Sequence, residues 1–120
     1  MALYHRELGF PRDVDVPSAP FELTYGWHAR RAADDDRFGP VGQLPDYLNP
    51  ASAWLIELEV RDGIAFKAVY RLPVWAEDAH GNGLDLCLAV LLHNGFVKTV
   101  WQNRTDDDHR SLRAWLYARP

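Results

Sequence analysis

The chain has a single cysteine, Cys87, among its 120 residues, so no intrachain disulfide can form and oxidative cross-linking has no part in its stability. No window approaches the roughly 20 consecutive apolar residues of a membrane-spanning helix. The opening run, Met1 to Arg6, has no apolar stretch like the core of a secretion signal. These absences predict a cytoplasmic protein with no membrane partner. A basic excess is missing too: 13 Lys and Arg stand against 17 Asp and Glu, a net charge of −4. That excludes a surface field able to gather nucleic acid indiscriminately, but not a small basic site within an acidic surface. There is no Gly-rich phosphate loop, nucleophile elbow or paired-cysteine motif. No histidine pair has zinc spacing, and the consecutive acids Asp34-Asp35-Asp36 would point in different directions on a helix. Neither a metal nor a cofactor is therefore expected.

What the chain does contain is material for one core. Apolar residues make up 48% of it, with five Trp, five Tyr and five Phe, which argues against disorder and for a single domain. Gly9, Pro11, Pro17 and Pro20 punctuate residues 1–20, predicting an extended lead-in anchored by Leu8 and Phe10. The domain itself is expected over residues 21–120. Phe21 to Tyr25 alternates as a short strand does. A helix is predicted from Trp27 to Arg37, capped by Thr24 or Gly26 and stopped at Gly39-Pro40.

Two strand–turn–strand units follow, broken at Asp62-Gly63 and Asn94-Gly95. The first joins Ser52–Arg61 to Ile64–Leu72, with Trp54, Ile56, Leu58 and Val60 on one face. Side-chain parity favours a three-residue loop, Arg61 to Gly63, which sets Leu58 opposite Phe66 and Glu57 opposite Lys67. Pro73 is expected to end the strand, and Trp75 to Gly83 reads as a polar loop. Leu84–His93 is almost continuously apolar, as a strand covered on both faces is, and Phe96 to Asn103 completes the second unit. Leu112, Trp115 and Leu116 recur at helical spacing, predicting a short C-terminal helix docked on the sheet. The expected fold is α+β: one helix packed on a small, mostly antiparallel sheet of four to five strands built from two consecutive hairpins.

Several side chains on these elements suit phosphodiester chemistry. His28 opens the helix, where a neutral imidazole could serve as general base, or it is a surface histidine with no role. Arg31 lies one turn on and could address the same phosphate, or pair with Asp35. Lys67 and Arg71 share one strand face, forming either a cationic track or a solvated face balanced by Glu57 and Glu59. Thr99 and Trp101 share a face with Asn103, Lys98 pointing away. A hydroxyl and an indole so spaced could orient a ribose and stack a base, although packing explains Trp101 equally well. His109 begins the tail helix and could be a second acid–base group, or stand solvated there. Cys87 reads as a buried small hydrophobe.

The run Tyr25-Gly26-Trp27-His28-Ala29-Arg30-Arg31-Ala32, followed by strand–turn–strand units, resembles the small metal-independent RNase superfamily of barnase, EndoU and the RelE and BrnT toxins. The likeness covers roughly residues 21–103. It implies a helical segment leading into a four-stranded antiparallel sheet, with His28 an acid–base residue, Arg31, Lys67 and Arg71 phosphate contacts, and Thr99 a substrate-orienting group. RNA would then be cleaved by attack of a ribose 2′-hydroxyl on the adjacent phosphate. His28 or His109 would take the proton and the cations would stabilise the charge building on the phosphoryl oxygens. The tail, Gly95 to Trp101 and Asp108 to Leu112, is also similar to that of uncharacterised small phage and prophage proteins. A second expectation is therefore a non-catalytic phage-type or regulatory protein that binds a host protein through an acidic, Trp-containing surface. Trp75 is its best candidate for an exposed anchor.

Overall fold

The computed structural model describes residues 1–107 and 112–120. In chain order its elements are the strands Ala2–His5 (β1), Phe21–Glu22 (β2) and Thr24–Tyr25 (β3), the helix Trp27–Asp34 (α1), and the strands Tyr47–Leu48 (β4), Trp54–Arg61 (β5), Ile64–Glu77 (β6), Gly83–Leu91 (β7) and Phe96–Arg104 (β8). Six of the strands form one sheet in the order β1-β5-β6-β7-β8-β3, antiparallel except where β3 runs parallel to β8, and β2 pairs with β4 apart from it. The fold is α+β with a mostly antiparallel sheet, as expected. The sheet is larger than expected because two short segments join its edges. One of them, β1, lies inside the predicted lead-in and pairs Leu3 with Glu59 and His5 with Glu57. Four residues are too few for a period-2 pattern to stand out in a sequence. No helix among the described residues is long and apolar enough to cross a membrane.

The first turn differs from the three-residue loop. Asp62 and Gly63 both take left-handed φ, 51° and 74°, and Arg61 pairs directly with Ile64, which makes a two-residue type I′ hairpin. Parity is restored inside β6 instead. Val60 pairs with Ala65 and Glu59 with Lys67, leaving Phe66 as the extra residue of a bulge, and Leu58 meets Ala68. Three more bulges follow this pattern. Ile56 is extra between Leu55 and Glu57, Lys98 is extra between Val97 and Thr99, and Pro73-Val74-Trp75 bow out between Leu72 and Ala76. Pro73 therefore does not end its strand, because β6 resumes pairing at Ala76–Leu84.

Bulges sort side chains between two faces. Leu58, Ala68, Tyr70, Leu86, Leu88, Val90, Val97 and Val100 share the face that packs against Ala29 and Ala33 of α1. Val97 and Val100 reach that common face only because Lys98 is extruded between them. β7 is buried from Leu84 to Val90, as its apolar run predicts. The helix stops three residues short of Arg37. Asp36 leaves it to accept hydrogen bonds from the Phe38 N–H (3.1 Å) and, across the core edge, from the Gln102 N–H (2.9 Å). The C-terminal helix is absent from the described residues. A single 3₁₀ turn, Ala114–Leu116, is followed by an extended strap whose Ala118 N–H donates to the Leu3 carbonyl (2.7 Å). That backbone bond to the edge strand draws the chain out, leaving Trp115 exposed.

Candidate functional site

The face of the sheet that α1 leaves uncovered carries Lys67 and Val69 from β6, Cys87 and Ala89 from β7, and Thr99 and Trp101 from β8. Ile56, displaced by its bulge, joins Val69, Ala89 and Trp101 in a small apolar cluster there. The C-terminal strap crosses above this floor. The Tyr117 hydroxyl donates to the Glu57 carboxylate (2.8 Å), and its ring meets His5 edge-on with centroids 4.9 Å apart. Floor and strap enclose a cavity of about 430 Å³, into which Lys67, Thr99, Trp101 and Arg113 all face. That volume lies within the range of small-molecule sites, and apolar walls with a few convergent polar groups are what such sites are made of.

Charge within the cavity is set by which carboxylates are already engaged. Lys67 lies across from Glu59, not Glu57, and Glu59 is held by Arg61 at 2.8 Å. Glu57 accepts from the Tyr117 hydroxyl, a neutral donor, so its charge stays in the cavity lining. Among the described residues Lys67 has no ion pair, so its ammonium is available to an anion in the cavity. Burial, and then the Glu57 carboxylate, push the Tyr117 hydroxyl up to about 12, so it remains a donor. Burial likewise pushes the Cys87 thiol up to about 12, and a thiol held protonated is a wall, not a nucleophile or a metal ligand. Among the described residues, no three His, Cys, Asp or Glu side chains converge as a metal site would require.

Beyond Ile56 and His5 lies a second hollow of about 230 Å³, walled by Arg6, Trp54, Arg71 and the acids Glu7, Asp106 and Asp107. Arg71 is on the predicted face but is a structural cation. It is 3% exposed, its Nε donates to Asp85 at 2.5 Å, and its Nη2 donates to the Arg104 carbonyl at 2.9 Å. Asp85, with no exposure at all, also accepts from the Val74 N–H and the Thr105 hydroxyl, each at 2.8 Å. Burial acts to raise the Asp85 carboxyl. The hydrogen bonds from Val74, Arg71 and Thr105, with the Arg71 charge, outweigh that and hold it below the usual carboxylate range. The same bond fixes Val74 at φ 48°, a left-handed conformation that a β-branched residue adopts only under constraint.

The predicted residues therefore divide. Lys67, Thr99 and Trp101 meet in one cavity. His28 and Arg31 do not join them, because α1 packs on the opposite face of the sheet through Ala29 and Ala33. Both are exposed there, Arg31 paired with Asp35 at 3.4 Å and His28 edge-on to Trp27. His109 lies outside the described residues. Trp75 is 38% exposed on the bulge, its indole N–H donating to the Gln43 carbonyl (3.0 Å). Sequence reasoning missed His5, Arg113 and Tyr117. The four residues of β1 carry no pattern that marks the first. Nothing local marks the other two, which reach the site through long-range contacts. Comparison with protein-family models, with curated proteins and with solved structures finds no match for this chain.

Proposed function

We propose that this protein binds single-stranded RNA in the strap-covered cavity. An unpaired base stacks on Trp101, the Thr99 hydroxyl bonds to ribose, and Lys67 and Arg113 meet phosphate oxygens. The observation that carries this reading is the meeting of Lys67, Thr99 and Trp101 in one cavity where Lys67 has no ion pair among the described residues. Cleavage by 2′-hydroxyl attack is not assigned. A general base must reach the proton it takes, but His28 stands on the far side of the sheet and His109 lies outside the described residues. His28→Ala is accordingly expected to leave RNA affinity unchanged within about twofold, as read by anisotropy of a labelled oligonucleotide.

Two phosphate contacts and a net negative protein make binding local instead of field-driven. The expected slope of log K against log salt is roughly −1.4, from about −0.7 per contact for single strands. Trp101→Leu keeps the apolar volume but removes the stacking surface, and it should weaken binding by roughly tenfold or more. Its urea midpoint should stay close to that of the parent. An RNA affinity indifferent to Trp101→Leu would sink the reading.

The alternative partner, a host protein, has one observation in its favour. Val74 is 62% exposed on the bulge beside Trp75, in a strained conformation that the buried Asp85 maintains. Trp75→Ala separates the two readings, since it leaves the RNA cavity untouched.

A further inference from the structure

One row of paired residues crosses the floor of the cavity, from Glu57 on β5 through Val69 and Ala89 to Thr99 on β8. The row spans three strand spacings, about 14 Å. Its middle is apolar and its two ends are polar. Trp101 packs on the apolar cluster that Val69 and Ala89 form with Ile56. With ribose at Thr99 and the base on Trp101, the Glu57 end of the row is left for the outer edge of the base. That edge is the Watson–Crick edge, which lies opposite the sugar and is the one read on unpaired bases.

The charges of the lining fit the same arrangement. Lys67 and Arg113 bring two positive charges and the Glu57 carboxylate offsets one, which leaves the complement of a single phosphodiester. The other polar groups are neutral. Tyr117 and Cys87 keep their protons, and His5 accepts the Glu7 N–H on Nδ1 (3.1 Å), which a doubly protonated imidazole cannot do. Glu57 is half-buried and, among the described residues, accepts one side-chain hydrogen bond, from Tyr117. A carboxylate has sites for about four. Guanine offers it two N–H donors side by side, N1–H and the 2-amino group. Cytosine and adenine offer one amino group beside a bare ring nitrogen, and uracil one N–H between two carbonyls. We infer, on the RNA reading, that Glu57 makes the cavity a guanine site. Uracil is the base it rejects most strongly, because that edge sets two acceptors against the carboxylate and brings a single donor.

The test uses the full chain and a uridine oligomer carrying one guest base. Guanine as guest is expected to bind roughly tenfold or more tightly than uracil, with cytosine and adenine between them. Inosine, which is guanosine without the 2-amino group, should lose part of that gain. Glu57→Gln keeps an oxygen for the Tyr117 hydroxyl but removes the charge and one acceptor, so the preference should shrink to within about twofold. Tyr117→Phe removes the bond from the strap and leaves the carboxylate, so the preference for guanine should persist whatever the change in overall affinity. That contrast separates reading of the base from a purely structural part for Glu57. Equal binding of all guests, or a best guest other than guanine, would overturn the guanine inference while leaving RNA binding intact. So would a preference that survives Glu57→Gln or is lost in Tyr117→Phe. No binding of any oligomer would overturn the RNA reading itself.

Discussion

Replacing Asp85 with alanine is expected to destabilise the protein by about 3–5 kcal/mol, the usual effect of leaving a buried charge without its partner. The substitution orphans three donors at once. The Arg71 guanidinium, the Val74 N–H and the Thr105 hydroxyl all lose the same acceptor. Urea unfolding followed by fluorescence should show a lower midpoint with an unchanged slope. The double variant Arg71→Leu, Asp85→Leu should recover only part of the loss. It removes the stranded charge but still leaves the Val74 N–H and the Thr105 hydroxyl without their acceptor, and that remainder measures how much of the network lies outside the ion pair. The sign of the pH dependence follows from the direction of the shift. A carboxyl held low in the folded state stabilises it above the unfolded value of about 3.9, and that contribution is lost as pH falls through the folded value. The parent should therefore lose stability below about pH 4 more steeply than Asp85→Asn does. Equal acid sensitivity of the two would show that other carboxylates dominate.

Gly95→Ala is the second large effect. Gly95 sits at φ +71°, and an added Cβ would lie far inside van der Waals contact with the Glu22 carbonyl oxygen. Its own carbonyl accepts from Thr24 (3.1 Å) and its N–H donates to Leu91 (2.9 Å), so the residue cannot shift without releasing β3 from β8. The expected loss is about 3 kcal/mol or more, combining left-handed strain with displaced backbone. Gly63→Ala is the matched control. Its φ of +74° is nearly the same, but nothing lies within 4 Å of the new Cβ. Only the conformational cost of about 1–2 kcal/mol remains. The difference between the two variants isolates the close approach, and equal effects would mean that the β2–β3 connection yields freely.

Both hairpins were legible because Asp62-Gly63 and Asn94-Gly95 are among the strongest local turn signals. The buried central strand was legible from its unbroken apolar run. Face assignment drifted for one recurring reason. A bulge adds a residue without changing the residue types around it, so nothing at Ile56, Phe66 or Lys98 announces that parity slips there. The rule that Leu58 must not oppose Lys67 was sound, but the correction lay three residues beyond the turn that was asked to provide it. The same slip replaced Glu57 with Glu59 as the neighbour of Lys67, which left the lysine available. Strand parity grouped Lys67 with Arg71 and Thr99 with Trp101, but that the two pairs share one face follows from the registers of β6, β7 and β8. Whether His28 and Arg31 would join them depended on which face the helix covers. That is decided by Ala29 and Ala33 meeting the core, and helical periodicity is silent on the choice. Likewise, nothing in residues 112–118 foretells that Ala118 will be fastened to Leu3.

That fastening sets an order of events. The β5–β8 meander is joined by short turns and closes small loops. The wall of the cavity exists only when residues far apart in the chain meet, Ala118 with Leu3 at the opposite end and Tyr117 with Glu57 near the middle. Contacts so distant in sequence carry the largest loop-closure entropy and form after local ones have reduced the search. The cavity is thus among the last parts of the molecule to assemble and among the first to open. A ligand seated beneath the strap would bind only the closed form and so hold the two ends of the chain together.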